Sequence, residues 1–276
     1  MCSSDLVKMN GLGNDFIVVD ARQQAFLPDV ETLQALANRE KGIGCDQVIA
    51  LEPSAASDVF MRIWNADGSE VGACGNATRC VGQILLGETG KDQVSIDSLG
   101  GLLVAQPGQG DTITINMGKP RLDWRQIPLA TAMDTSAIDL NIEMTVGPGL
   151  SGPGCVNMGN PHVVFFVSDV ETAPVKTAGP VLEHHPLFPE GVNVGFAQIL
   201  SRNRIRLKVW ERGAGQTLAC GTGACAALVA AHRRNLTDRT ATLVMDGGQL
   251  QIEWRPGDDH VLMTGPVETE FEGRLP

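Results

Sequence analysis

Residues 59–64 (VFMRIW) alternate apolar and polar positions with period two, which predicts a half-buried strand. Residues 15–20 (DFIVVD) read as a strand running into a turn, and residues 33–39 as a short helix. Residues 65–72 carry turn formers and read as a loop. From 75 to 86 small and apolar residues recur at helical spacing, and Gly87 is placed to end that helix. Runs at 94–97, 102–106 and 112–117 then predict strands separated by Gly-Gly and Pro-Gly turns.

The same pattern returns further along the chain. Strands are predicted at 163–167, 192–199 and 204–210, a helix at 221–234, and strands at 240–244, 250–254 and 260–263. The alanine- and glycine-rich 221–231 stretch predicts a helix packed on all sides, as if wrapped by a sheet. The second pattern lies 146 positions after the first: Trp64 pairs with Trp210, Cys74 with Cys220, Gly13-Asn14 with Gly159-Asn160, Met117 with Met263 and Pro120 with Pro266. A fixed offset held over so long a span implies two copies of one unit, at 10–120 and 156–266. Residues 121–155, with prolines, glycines and polar runs, read as a linker and lead-in strand. The expected fold is α/β of the α+β kind. It has two pseudo-symmetric domains, 1–119 with 267–276 and 120–266, each a curled, mostly antiparallel sheet around a central helix. Copies related by a pseudo-two-fold axis would place the active site in the cleft between them.

Composition narrows the function classes. The formal charge of −11 disfavours nucleic acid and anionic membranes as partners. No run approaches the 18 or so apolar residues of a membrane span, and residues 1–7 lack a secretion signal, so a cytoplasmic location is expected. Seven cysteines, an odd number, argue against a disulfide framework. The gaps of six (Cys74 to Cys80) and five (Cys220 to Cys225) do not suit structural zinc, so no metal is expected.

Cys74 and Cys220 occupy equivalent positions, and each is followed by glycine at a predicted helix start. Unpaired N–H groups and the helix dipole there lower a thiol's pKa and can hold a carboxylate. Thiols on opposite sides of one α-carbon could remove a proton from one face and deliver one to the other. Gly75-Asn76 and Gly221-Thr222 would grip the substrate carboxylate, and preorganised dipoles would carry the developing charge without pyridoxal phosphate. Cys45, Cys80, Cys155 and Cys225 read as buried apolar residues. Polar residues also pair across the offset: Asn14 with Asn160, Gln47 with Asn193, Asn65 with Glu211. Each alone is a turn or cap residue; as a set they suit recognition of an amino acid. Arg212, whose counterpart is Ala66, breaks the symmetry with one positive charge and suits a second substrate carboxylate. His162 is placed either to tune a thiol or to be a satisfied core histidine.

The stretches MNGLGNDFIVVD (9–20), GIGCDQVI (42–49), NADGSEVGACGNATRC (65–80), GNPHVVFFV (159–167), GVNVGF (191–196) and ERGAGQTLACGTGACAA (211–227) resemble the diaminopimelate epimerase family. The resemblance implies an isomerase that interconverts LL- and meso-2,6-diaminopimelate without a cofactor, in lysine and peptidoglycan precursor synthesis, and that forms a homodimer. It puts the acid and base on Cys74 and Cys220. It puts substrate contacts on Asn14, Gln47, Asn65, Gly75, Asn76, Asn160, Asn193, Glu211, Arg212, Gly221 and Thr222, and thiol tuning on His162 and Glu211. Cys45, Ala77 and Asn10 depart from the family's usual phenylalanine, glycine and histidine. The rival readings are a two-thiol racemase of the proline racemase kind, which has a histidine where Asn76 stands, an inactive amino-acid-binding protein, and a cysteine hydrolase.

Overall fold

The computed structural model describes residues 5–72, 74–140 and 150–275. The chain divides into two compact units, Met1–Asn116 with Thr264–Pro276, and Met117–Met263.

The first unit opens with a hairpin of β1 (Asp5–Gly11) and β2 (Asn14–Asp20). Gly11 faces Asn14 across the turn, and both central residues take positive φ, 62° at Leu12 and 78° at Gly13. Such a turn matches the twist of the flanking strands. It holds Leu12 in a left-handed conformation that a branched side chain rarely adopts. α1 (Val30–Ala37), capped by the Asp29 side chain, crosses to β3 (Gln47–Glu52), which runs parallel to β2. β4 (Val59–Asn65) and the short β5 (Glu70–Val71) precede α2 (Gly75–Thr89). β6 (Val94–Asp97), β7 (Leu103–Pro107) and β8 (Thr112–Asn116) follow, and β1, β2, β6, β7 and β8 all pack on α2. The approach is close: a Cβ on Gly82 would lie 2.6 Å from that of Ala105.

The second unit repeats this order. It has β9 (Gly154–Asn157), β10 (Pro161–Phe166), α3 (Val175–Glu183), β11 (Asn193–Ser201), β12 (Arg204–Glu211) and β13 (Gly215–Thr217). Then come α4 (Gly221–Arg233), β14 (Thr240–Met245) and β15 (Gly248–Trp254). β16 (Val261–Pro266) holds the boundary between units, and β17 (Glu268–Arg274) pairs antiparallel with β1. Residues 223–231 of α4 are buried without a break. A helix apolar on every side needs such enclosure, each buried Leu or Val contributing about 1.5–3 kcal/mol.

The repeat holds at the level of register. Phe16 faces Gln47 as His162 faces Asn193, Val48 faces Trp64 as Val194 faces Trp210, and Trp64 faces Glu70 as Trp210 faces Gln216. Beyond the helix the match slips by one: Val59 faces Ile96, but Ile205 faces Leu243.

Several expectations are corrected. α2 runs past Gly87 and ends at Gly90, whose φ of 64° lets its N–H reach the Leu86 carbonyl. Glycine ends a helix where a left-handed residue is needed, and Gly87 is not that position. α3 was not expected, because Gly179 and Pro180 sit inside it. Residues 121–155 are more than a linker: Ile127, Leu129, Ile138, Leu140 and Leu150 belong to the second unit's core. Part of that stretch, 141–149, lies outside the described residues.

Candidate functional site

Cys74 is the residue before α2 and Cys220 the residue before α4, both in extended backbone. Each thiol therefore stands at the start of the enclosed helix of its unit, and the surroundings of the two differ.

In the first unit the β1–β2 turn presents Asn14. Its Nδ2 donates to Asp46 Oδ2 at 2.7 Å, and its Oδ1 accepts from the half-buried Cys74 thiol at 3.8 Å. Asp46 is held in turn by the Asp15 N–H and by Arg39, and Asp15 receives Arg39 and the buried Lys8. Burial alone would raise the Asp15 carboxyl, but the hydrogen bonds from Arg39 and Lys8 hold it well below the usual carboxylate range. On the adjacent strands Gln47 Nε2 donates to Asn65 Oδ1 at 3.0 Å, and Asn65 Nδ2 donates to Ser69. Gly75 opens α2 and Asn76 follows, 5% exposed. The Oδ1 of Asn76 and the Oε1 of Gln47 are buried acceptors with no hydrogen-bond partner among the described residues. Such orphans are costly unless a donor reaches them.

In the second unit the Cys220 thiol is buried. It donates to Glu211 Oε2 at 3.1 Å and accepts the Gly223 N–H at 3.4 Å, with Thr222 Oγ1 at 3.6 Å. Thr217 donates to the other Glu211 oxygen. Burial pushes the Cys220 thiol well above its ordinary value, and the neighbouring Glu211 charge pushes it further. Burial also raises the Glu211 carboxyl. The helix start was expected to lower the thiol's pKa. At Cys220 desolvation and an adjacent carboxylate outweigh it, so the thiol keeps its proton and donates it in a hydrogen bond to Glu211. Delivering that proton elsewhere would leave a thiolate still held by Gly223 N–H and the Thr222 hydroxyl.

His162 is 1% exposed and shares a hydrogen bond with Asn160 Oδ1 at 2.9 Å. Burial, followed by the Arg212 charge, lowers its pKa to about 3, so it is neutral near pH 7. The buried Asn193 donates to the Pro161 carbonyl and accepts the Arg212 N–H at 3.0 Å. Arg212 is exposed, and its guanidinium reaches the Glu190 carbonyl at 2.7 Å.

Within the first unit, Asn14 lies with Cys74 and Gln47 with Asn65. Within the second, Glu211, Gly221 and Thr222 lie with Cys220, Asn160 with His162, and Asn193 with Arg212. Asp46, Thr217 and Glu183, the last accepting the Trp210 indole N–H and the Gly213 N–H, are contacts that the sequence reading does not name. Asp46 and Thr217 lie inside motifs already singled out (GIGCDQVI and ERGAGQT); for Glu183 the sequence gives no local signal. Of the three departures, Cys45 is buried and its thiol pushed up to about 11, chiefly by burial, Ala77 is fully buried in α2, and Asn10 Oδ1 accepts the Gly13 N–H in the first turn.

The chain matches the family model described as diaminopimelate epimerase twice, over residues 6–122 and 154–270. It belongs to the diaminopimelate epimerase family, whose members are isomerases. It is 56% identical to the diaminopimelate epimerase of Phenylobacterium zucineum, covering 98% of this chain and 97% of that one. To the diaminopimelate epimerase of a Caulobacter species it is 54% identical, covering 99% and 98%. A solved phenazine biosynthesis protein of the PhzF family from Enterococcus faecalis superposes over all of both chains with a TM-score of 0.70 at 15% identity. That likeness shows the shared fold alone. Among the described residues no group of side chains is arranged to hold a metal ion, and no helix is long and apolar enough to cross a membrane.

Proposed function

We propose that this chain interconverts LL- and meso-2,6-diaminopimelate by a two-base mechanism that needs no cofactor, in lysine and peptidoglycan precursor synthesis. One observation carries the reading: in each repeated unit a cysteine stands immediately before the enclosed helix, in a family of this activity. One thiolate removes the α-proton and the other thiol protonates the opposite face of the carbon. Glu211, hydrogen-bonded to Cys220, governs where that thiol's proton resides.

The N–H groups opening α2 and α4, at Gly75-Asn76 and Gly221-Thr222, supply the dipoles that stabilise charge building on the substrate carboxylate. The buried unpartnered oxygens of Asn76 and Gln47 support a ligand that brings donors, such as an ammonium group. Asn14, Asn65, Asn160 and Asn193 complete the polar surroundings, and Arg212 takes the distal carboxylate. His162, neutral and bonded to Asn160, holds that amide in orientation. The two halves, 1–119 with 267–276 and 120–266, each contribute one thiol. A cytoplasmic homodimer acting on a small molecule completes the proposal.

The test is incubation of the purified protein with LL-diaminopimelate and separation of the stereoisomers by chiral chromatography. Growth of the meso form towards a stable mixture is expected. An unchanged LL isomer would overturn the reading, and epimerisation of proline in its place would favour a proline racemase activity.

A further inference from the structure

Glu183 ends α3, is 6% exposed, and has no part in the chemistry above. Its Oε2 accepts the Trp210 indole N–H at 2.7 Å, and its Oε1 accepts the Gly213 backbone N–H at 2.8 Å. Trp210 immediately precedes Glu211, and Gly213 immediately follows Arg212. One buried carboxylate therefore grips both ends of the two-residue segment that carries the Cys220 partner and the symmetry-breaking guanidinium. Other contacts reinforce the hold. The Val192 N–H reaches the Glu183 carbonyl at 3.2 Å, and a Cβ on Gly191 would lie 3.0 Å from Arg212 Cδ.

The repeat shows that this clamp is an addition. Trp210 has its counterpart in Trp64, but Ala37 stands where Glu183 does, Ala66 where Arg212 does, and Asp67 where Gly213 does. The carboxylate is present only in the copy that has the arginine. A buried carboxylate with two well-placed donors is worth its desolvation only if those donors stay in place, so it resists movement of the turn it holds. The exposed His184 imidazole lies beside it, with Nε2 3.8 Å from Oε1, while the Arg212 guanidinium on the gripped turn reaches the Glu190 carbonyl.

We propose that Glu183 is a positioning residue that sets Glu211 against the Cys220 thiol and aims Arg212 at the distal group of the substrate. The substrate half of this inference rests on the function proposed above; the thiol half does not.

Glu183→Gln tests both. Glutamine keeps the shape but has one oxygen, so its amide N–H must oppose either the indole or the Gly213 donor. Two readouts are taken: epimerisation kinetics, and the pH at which iodoacetamide alkylates Cys220, followed by peptide mass spectrometry with the Cys74 peptide as internal control. The expected result is a KM for LL-diaminopimelate raised by about tenfold or more with a smaller change in kcat, the mark of lost ground-state binding. The Cys220 alkylation midpoint should move to lower pH as the carboxylate leaves the thiol, while Cys74 stays as in wild type. A lower melting temperature with KM and alkylation both unmoved would overturn the proposal and leave Glu183 a packing residue. If Glu183→Gln does not fold, Trp210→Phe removes one of the two donors and keeps an aromatic ring. A several-fold rise in KM with the same alkylation shift supports the clamp, and the absence of both changes refutes it. If wild type does not epimerise diaminopimelate, the functional reading falls and the alkylation arm alone decides the role of Glu183.

Discussion

At position 162 the second unit has a histidine where the first has Phe16, on strands of matching register. The sequence leaves His162 open between a thiol-tuning and a core position, and both residues are interior: Phe16 is fully buried and His162 nearly so. What the residue type could not show is protonation. Burial strips water from the imidazolium, and the Arg212 charge disfavours it further, so the folded pKa is about 3 against an ordinary 6.5. The unfolded chain thus binds a proton between these values that the folded chain does not, and stability falls as pH drops through 6.5. Each pH unit in that window costs up to about 1.4 kcal/mol. His162→Phe, which copies the first unit, should be less acid-sensitive than wild type from pH 7 to 5 in thermal melts. Parallel curves for the two proteins would show that His162 accepts a proton in the fold. Cys220 carries the same lesson. Its place before a helix was legible, but the half-buried Glu211 beside it, which raises rather than lowers the thiol, depends on a strand pairing that brings position 211 back to the helix start.

Among the elements, periodicity found β2, β4, β11, β12 and both enclosed helices; it missed β1, β3, the short β5 and β13, and α3. The stretch reads TAPVKTAGPVLE, and its internal Gly179 and Pro180 are ordinary breakers. The helix survives because Val175, Ala178, Gly179 and Leu182 are buried. Gly179 has a packing reason of its own: a Cβ there would lie 2.5 Å from Trp210 Cγ and 2.6 Å from Cδ2. Gly179→Ala gains helix propensity but must push the indole or the helix aside. It should lower stability by about 1–3 kcal/mol, read as a fall in melting temperature. A gain in melting temperature would mean the contact has slack. Because the same indole donates to Glu183, this variant should also weaken substrate binding.

For the whole molecule the repeat was legible from spacing alone, since duplicated units keep one offset through every element up to the enclosed helix. The discontinuity of the first unit was partly so: β17 closes on β1, adding the last strand to the sheet that the first began. If each unit supplies one thiol, protons reach the two faces of the carbon from different groups. In heavy water, early in the reaction, the newly formed meso isomer should carry deuterium at the inverted carbon while unreacted LL isomer carries almost none. Equal labelling of both pools would point to a single base exchanging with solvent.

The sequence alone determined the duplication, the two thiols before glycine at matching helix starts, and the arginine without a counterpart. These are properties of order along the chain, and order is what a sequence records. Tertiary structure alone decided that the Cys220 thiol donates to the half-buried Glu211 carboxylate, that His162 is neutral, and that Glu183 grips the turn at Glu211 and Arg212. Each depends on desolvation and on contacts between groups distant in the chain, and both arise only when strands and helices close over one another.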